Sequence, residues 1–237
     1  DGLNSYDLTT NQFKKYNSKE FLKYKYLGNK VMCVSVSSDD IVWVGTAGGG
    51  VSKYIRNRKK FHNLTYDPLN PEGLHENRIL KIAKDSKGNL WIATWTSGLT
   101  YYNPLTNEFK IYRHDPVDSG SLSDDGIQDI LVDQNDNLWV IGASTSLDLL
   151  RNNSDTFMHI KADSSNPKGL QSDYLLSMIE DQEGNIWLGS WNDGLFRLDP
   201  TSLEFETFRT PGNKDLNLGN ISFYYMFEDS RGKLWIG

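Results

Sequence analysis

Only one cysteine, Cys33, is present, so no internal disulfide framework can staple the fold. No apolar run approaches the roughly eighteen residues that a membrane-crossing helix needs. Long stretches with a 3.6-residue apolar period are also missing, which removes helix-pair repeats from the candidates. A basic surplus is lacking: Lys and Arg number 25 against 31 Asp and Glu, a net charge of −6. Phosphate backbones are held by clustered positive charge, so nucleic acid is not an expected partner. There is no Gly-x-Ser-x-Gly elbow and no phosphate-binding loop. The histidines, His62, His75, His114 and His159, have no metal-site spacing. Asp133-Gln-Asn-Asp-Asn137 opens like a calcium loop but lacks the sixth-position Gly and the bidentate Glu. No catalytic residue, metal or cofactor is therefore expected. The chain opens at Asp1-Gly2-Leu3, without Met or a secretory leader and in mid-repeat, so a piece of a longer protein is expected.

What the chain does have is a fixed period. Trp43, Trp91, Trp139, Trp187 and Trp235 are each 48 residues apart. Around them one phrase recurs: Asp85-Ser-Lys-Gly-Asn-Leu-Trp-Ile-Ala-Thr94, then Gly98-Leu99; Asp181-Gln-Glu-Gly-Asn-Ile-Trp-Leu-Gly-Ser190, then Gly194-Leu195; and Asp229-Ser-Arg-Gly-Lys-Leu-Trp-Ile-Gly237. In the second unit, β-branched and aromatic runs predict strands over 79–84, 90–94, 99–102 and 109–112, separated by Asp/Gly and Asn-Pro turns. Four strands per unit of about 40–50 residues is the pattern of propeller blades. The expectation is an all-β chain, residues 1–237 forming one β-propeller of four-stranded antiparallel blades. Residues 1–16 should supply the last two strands of one blade and 223–237 the first two of another. The ring is then either closed with five blades or an arc of five units from a larger ring. The recurring tryptophans are expected to pack as wedges between blades.

The phrase Asp-x-x-Gly-Asn-Leu-Trp-Ile-Gly-Thr, then Gly-Leu and Tyr-(Asp/Asn)-Pro, resembles the two-component regulator propeller repeat. Asp85–Pro104 and Asp181–Pro200 match it best, and Asp229–Gly237 matches its first half. The Trp139 unit departs, with Asp136 where Gly is usual and Ser146 for the Gly of Gly-Leu; the Trp43 unit has Ser37 for the first Asp. The resemblance implies the periplasmic sensor region of a hybrid two-component histidine kinase. Such regions have two seven-bladed propellers and a β-sandwich ahead of a membrane span and kinase, and they detect oligosaccharides. It implies as partners an oligosaccharide, further blades and membrane-linked kinase parts of the same polypeptide, and a homodimer whose propellers shift on binding.

Positions that vary between repeats are candidates for binding. After the Trp strand stand Ala47, Trp95, Ala143 and Trp191; exposed indoles in turns suit apolar sugar faces or a partner's hot spot. Asn192 and Asp193 beside Trp191 could bond hydroxyls. The positions opening the first strand are Lys30, Arg78, Gly126, Tyr174 and Ser222; three residues on come Cys33, Lys81, Asp129, Ser177 and Tyr225. The candidate ligand set is Trp95, Trp191, Asn192, Asp193, Lys30, Arg78, Tyr174, Lys81, Asp129 and Tyr225, near the mouth of a central channel. Asn29, Asn77, Asp125 and Asp173 recur at one position and are expected to cap turns. The leading function is non-catalytic sensing of an oligosaccharide. The alternatives are a polysaccharide lyase or hydrolase, built on Asp129, Asp173 and His75, and a scaffold for protein partners.

Overall fold

A computed structural model describes residues 2–16, 30–36, 41–58, 60–143, 146–209 and 221–237. Asn29, Ser37 and most of the first and last long connections (residues 17–29 and 210–220) lie outside them. The chain divides into two compact units, Asp1–Tyr112 and Arg113–Gly237.

The first unit opens with a hairpin, β1 (Leu3–Asp7) and β2 (Gln12–Tyr16). A four-stranded antiparallel sheet follows, β3 (Val31–Val36), β4 (Ile41–Thr46), β5 (Val51–Ile55) and β6 (Lys60–Leu64). The second sheet is β7 (Ile79–Lys84), β8 (Leu90–Thr94), β9 (Leu99–Asn103) and β10 (Glu108–Tyr112). In the second unit the same order gives β11 (Ile127–Val132), β12 (Leu138–Gly142), β13 (Ser146–Leu150) and β14 (Phe157–Ile160). Then come β15 (Leu175–Glu180), β16 (Ile186–Ser190), β17 (Leu195–Leu198) and β18 (Phe205–Phe208). A last hairpin pairs β19 (Met226–Glu228) with β20 (Leu234–Ile236). All described regular structure is β, and each sheet meanders without crossovers.

The turn between first and second strands shows why the motif reads as it does. Asp133 accepts the Asn137 backbone N–H at 2.9 Å on one oxygen and the Trp139 Nε1–H at 2.9 Å on the other. Asp181 does the same for Asn185 and Trp187, at 2.8 Å each. Asp229 repeats it for Lys233 and Trp235, at 3.1 and 2.9 Å. A buried indole needs a partner for its one polar atom, and the turn carboxylate provides it. Asp85 keeps the turn bond to Asn89 at 2.8 Å and takes the Tyr101 hydroxyl at 3.3 Å. Where Gly is usual, Asp136 adopts φ 60°, beside 85° for Gly184; Asp is among the few residues that tolerate this left-handed region. The oxygens of Asp133 are thus occupied by N–H donors, as in an ordinary turn and not a calcium loop.

Neighbouring sheets pack through the indoles and first strands. Trp43 shares a core cluster with Ile79, Ile82 and Leu90 in the first unit. Trp139 shares one with Leu175, Met178 and Leu188 in the second. Polar bridges accompany them. The Met178 N–H donates to Asp129 Oδ2 at 3.0 Å, and the Ser177 hydroxyl donates to the Phe223 carbonyl at 2.8 Å. Gly189 permits this approach, because a Cβ there would lie 2.7 Å from the Phe223 Cβ. The long connections are pinned alike: Leu74, Leu122 and Leu170 are buried. Asn77, Asp125 and Asp173 accept the backbone N–H of Tyr66, His114 and Ala162, latching the two ends of each connection together. The recurrence of those three residues is a matter of capping, as the spacing predicts.

The Trp187 indole, the Asn185 amides and the Glu183 N–H outweigh burial, the largest single influence on Asp181, and hold its carboxyl below the usual 3.8. At Asp229 the Trp235 indole comes first, then the Lys233 and Arg231 N–H groups, again lowering it. Glu180 moves the other way, raised first by burial and then by Asp133 and Asp181. A lowered carboxylate contributes stability that is complete above its unfolded value and lost as pH falls through the folded one. Thermal unfolding followed by circular dichroism should show stability falling below about pH 4, with Asp181→Asn flattening that acid limb. In the same assay Trp139→Ala should cost about 3–5 kcal/mol and Gly189→Val about 1–3 kcal/mol.

Candidate functional site

Within each complete blade, two of the variable positions picked out in the sequence meet. In each blade the residue after the Trp strand donates its N–H to the carbonyl of the residue opening the first strand. The pairs are Ala47 to Lys30 at 3.0 Å, Trp95 to Arg78 at 3.1 Å, Ala143 to Gly126 at 2.8 Å and Trp191 to Tyr174 at 2.8 Å. Each complete blade therefore holds these two positions side by side on a fixed backbone bond.

In the first unit, Trp95 is half-exposed and the Arg78 guanidinium lies 4.7 Å from its ring centroid. This cation–π contact covers one indole face. Glu76 fixes the turn by accepting the Thr96 N–H at 2.8 Å. Lys30 is exposed.

In the second unit, Trp191 is half-exposed and meets the Tyr224 ring edge to face, centroids 6.0 Å apart. Trp191 and Tyr174 line a shallow cavity of about 200 Å³ with Gln128, Asp173, Leu175 and Leu176. Tyr174 and Tyr224 are themselves exposed. The wall is aromatic and the rim polar, suited to a ring with one apolar face and hydroxyls at its edge. Asn192 and Asp193 hold the turn that carries the indole. Asn192 has φ 62° and accepts the Ser222 hydroxyl at 3.2 Å; Asp193 accepts the Ser172 hydroxyl at 2.6 Å and donates its N–H to Ser190 Oγ at 3.1 Å.

The row Cys33, Lys81, Asp129, Ser177 and Tyr225 needs correcting. Each first strand of the complete blades has a register shift just before this position, between Val31 and Cys33, Ile79 and Lys81, Ile127 and Asp129, and Leu175 and Ser177. A bulge adds a residue and re-aims the side chains around it. Asp129 and Ser177 are buried and bonded to the following repeats, as above, and Lys81 is half-buried. Burial pushes the Cys33 thiol up to about 11, its neighbour Lys81 opposing only weakly. Tyr225 is exposed, but its N–H and carbonyl pair with Gly237. It is the bulge residues, Gln128 and Leu176, that face the cavity. Tyr224 stands at the same repeat position, 48 residues beyond Leu176, and that spacing could have found it.

A second cluster escaped the sequence reading. Asp148, fully buried, accepts the Ser123 hydroxyl at 2.6 Å and pairs with His159 Nδ1 at 2.8 Å, while His159 Nε2 lies 3.0 Å from the Ser119 carbonyl. A nucleophilic triad requires serine on the imidazole and the acid behind it. Here serine bonds the acid and the far nitrogen faces a carbonyl, so the group clamps the 113–126 connection. Its sequence signal was an acid where the other blades have Ser52, Thr100 and Phe196.

The model of the family described as "Two component regulator propeller" matches residues 73–96 and 169–192, two stretches 96 residues apart that both run through the Asp turn and Trp strand to the rim indole. Those two stretches match the two-component regulator propeller repeat. Among solved structures, the chain is similar to the extracellular domain of a protein named as a hybrid two component system from B. thetaiotaomicron, at 22% identity and TM-score 0.63, over 100% of this chain and 36% of that one. An auxiliary nutrient binding protein from Bacteroides thetaiotaomicron gives 12% identity and TM-score 0.65, over 99% and 60%. PorZ, a surface component of the type-IX secretion system of Porphyromonas gingivalis, gives 14% and 0.51, over 96% and 40%. The chain thus spans between about a third and three-fifths of these relatives. At such identities the likeness speaks for the fold, a β-propeller. No curated protein matches the chain.

Asp148→Ala should lower stability by about 1.5–3 kcal/mol in denaturant melts, and hydrogen exchange should speed up in residues 113–126 while Tyr174 and Trp191 keep their protection.

Proposed function

We propose that this chain is the ligand-sensing, non-catalytic propeller segment of an extracytoplasmic two-component sensor, that it recognises an oligosaccharide, and that the occupied state is relayed to a histidine kinase elsewhere in the same polypeptide. The observation that carries the proposal is the pair Tyr174 and Trp191 lining one shallow cavity, with Tyr224 against the Trp191 ring. Sugar rings offer apolar C–H faces to such walls, and a few polar groups at the edge set orientation. The repeats themselves, together with a structural relative named as an extracellular part of a hybrid two component system, support the sensor role and a periplasmic location. Ligand-dependent rearrangement of a homodimer is the proposed route to the kinase.

The indoles are not equal in this proposal. Arg78 already covers one face of Trp95, whereas Trp191 meets its neighbour only edge-on. Titration calorimetry of the chain against a panel of plant, host and microbial oligosaccharides should find a binder that is returned unaltered. Trp191→Ala should weaken it about tenfold or more, equivalent to about 1.4 kcal/mol, and Trp95→Ala much less. Binding by no member of the panel, or turnover of a bound one, would overturn the proposal.

A further inference from the structure

The residues that cap the long connections are alike in one atom and differ in the other. Asn77, Asp125 and Asp173 each use Oδ1 to accept a backbone N–H, at 2.7, 2.8 and 2.7 Å. At Asn77 the second atom is an amide nitrogen. At Asp125 the second oxygen takes the Arg113 guanidinium at 2.8 Å. At Asp173 the residue in Arg113's place is Lys161, which is exposed, and Oδ2 has no partner among the described residues. Capping therefore accounts for one oxygen of Asp173 and leaves the other.

Asp173 lines the Trp191 cavity. Gly142 and Ala143, at the end of β12 in the preceding blade, line it too. Ala143 stands where other blades have Ala47, Trp95 and Trp191, and Gly142 where they have Thr46, Thr94 and Ser190. Two small residues thus face two large aromatics, and the difference in bulk leaves about 200 Å³ open. That is less than the roughly 300–1,000 Å³ of drug-sized sites and suits a single sugar ring. Among the described lining residues there is no Lys, Arg or His, so Asp173 brings the one charge, a negative one.

We infer, building on the oligosaccharide reading of this cavity, that Asp173 selects the ligand's chemical class: the cavity takes one neutral pyranose ring and rejects acidic sugars. A carboxylate accepts hydrogen bonds and cannot donate them. A ring hydroxyl donating to the spare oxygen makes a charge-assisted bond, stronger than one between neutral groups. A uronic acid or a sulfated sugar would instead bring a second negative charge beside the first, with no cation in the lining to offset it. Selectivity of this kind comes from what the site repels as much as from what it holds.

Titration calorimetry of the full chain tests this with tetrasaccharides of glucose, galactose and mannose, set against glucuronic, galacturonic and mannuronic acid oligomers of the same length. The best neutral member should bind about tenfold tighter, or more, than its acidic counterpart. Asp173→Asn keeps an oxygen for the Ala162 N–H, as Asn77 does for Tyr66, and should remove most of that preference. Ala143→Trp places in the cavity an indole that two other blades have at this position, and should abolish neutral-sugar binding with the melting temperature unchanged. Acidic oligomers binding as tightly as neutral ones, a preference unmoved by Asp173→Asn, or neutral binding that survives Ala143→Trp would each overturn the inference while sugar sensing stands. Binding by none of the oligomers would overturn both.

Discussion

One carboxylate organises the first turn of four repeats, at Asp85, Asp133, Asp181 and Asp229. It closes the turn through a backbone N–H four residues on, and in three of these four it also binds the indole N–H six residues on. A single side chain thus fixes the hairpin register and satisfies the polar atom of the residue that wedges neighbouring sheets. Both tasks need the same spacing, so the spacing cannot drift. Losing the acid would leave an indole N–H without its partner in a packed interface and release the turn as well.

Because that clamp is local and repeated, the opposite end of each blade is free to vary. There the hairpin after the Trp strand is closed by a hydroxyl, Thr46, Thr94 or Ser190, donating to the carbonyl of the following Gly. The residue just outside it is fixed to the blade by its backbone N–H, whichever side chain it carries. Its side chain can be Ala or Trp without cost to the blade. This is the general condition for a binding surface on a repeat protein: a rigid backbone frame with unconstrained side chains at one edge. Aromatic residues have accumulated there in the second unit, at Tyr174, Trp191 and Tyr224.

Much of this was legible in the sequence, since blade and turn chemistry are local. The strands of the Trp91 repeat agree with expectation to within one residue, and the terminal segments form the two hairpins expected of them. Trp95 with Arg78 and Trp191 with Tyr174 are the candidates that the structure brings together in pairs. The errors have specific causes. Counting residues along a first strand assumes strict alternation, and the bulge breaks it, so Asp129 was chosen where Gln128 faces the cavity. Asn192 and Asp193 looked available because hydrogen bonds to Ser222 and Ser172 join residues 21 or more positions apart, beyond what a turn motif reveals. The clamp of Ser123, Asp148 and His159 spans three separate elements and has no motif at all.

The central claim is that the repeat indoles are structural, tied down by the turn aspartates, while the rim indoles are spare. Exchange of indole Nε1 protons with deuterated solvent, followed by NMR, measures this directly. The Trp139 and Trp187 signals should persist long after those of Trp95 and Trp191 have vanished. Rapid loss at Trp139 and Trp187, or lasting protection at Trp191 in the ligand-free protein, would contradict the account.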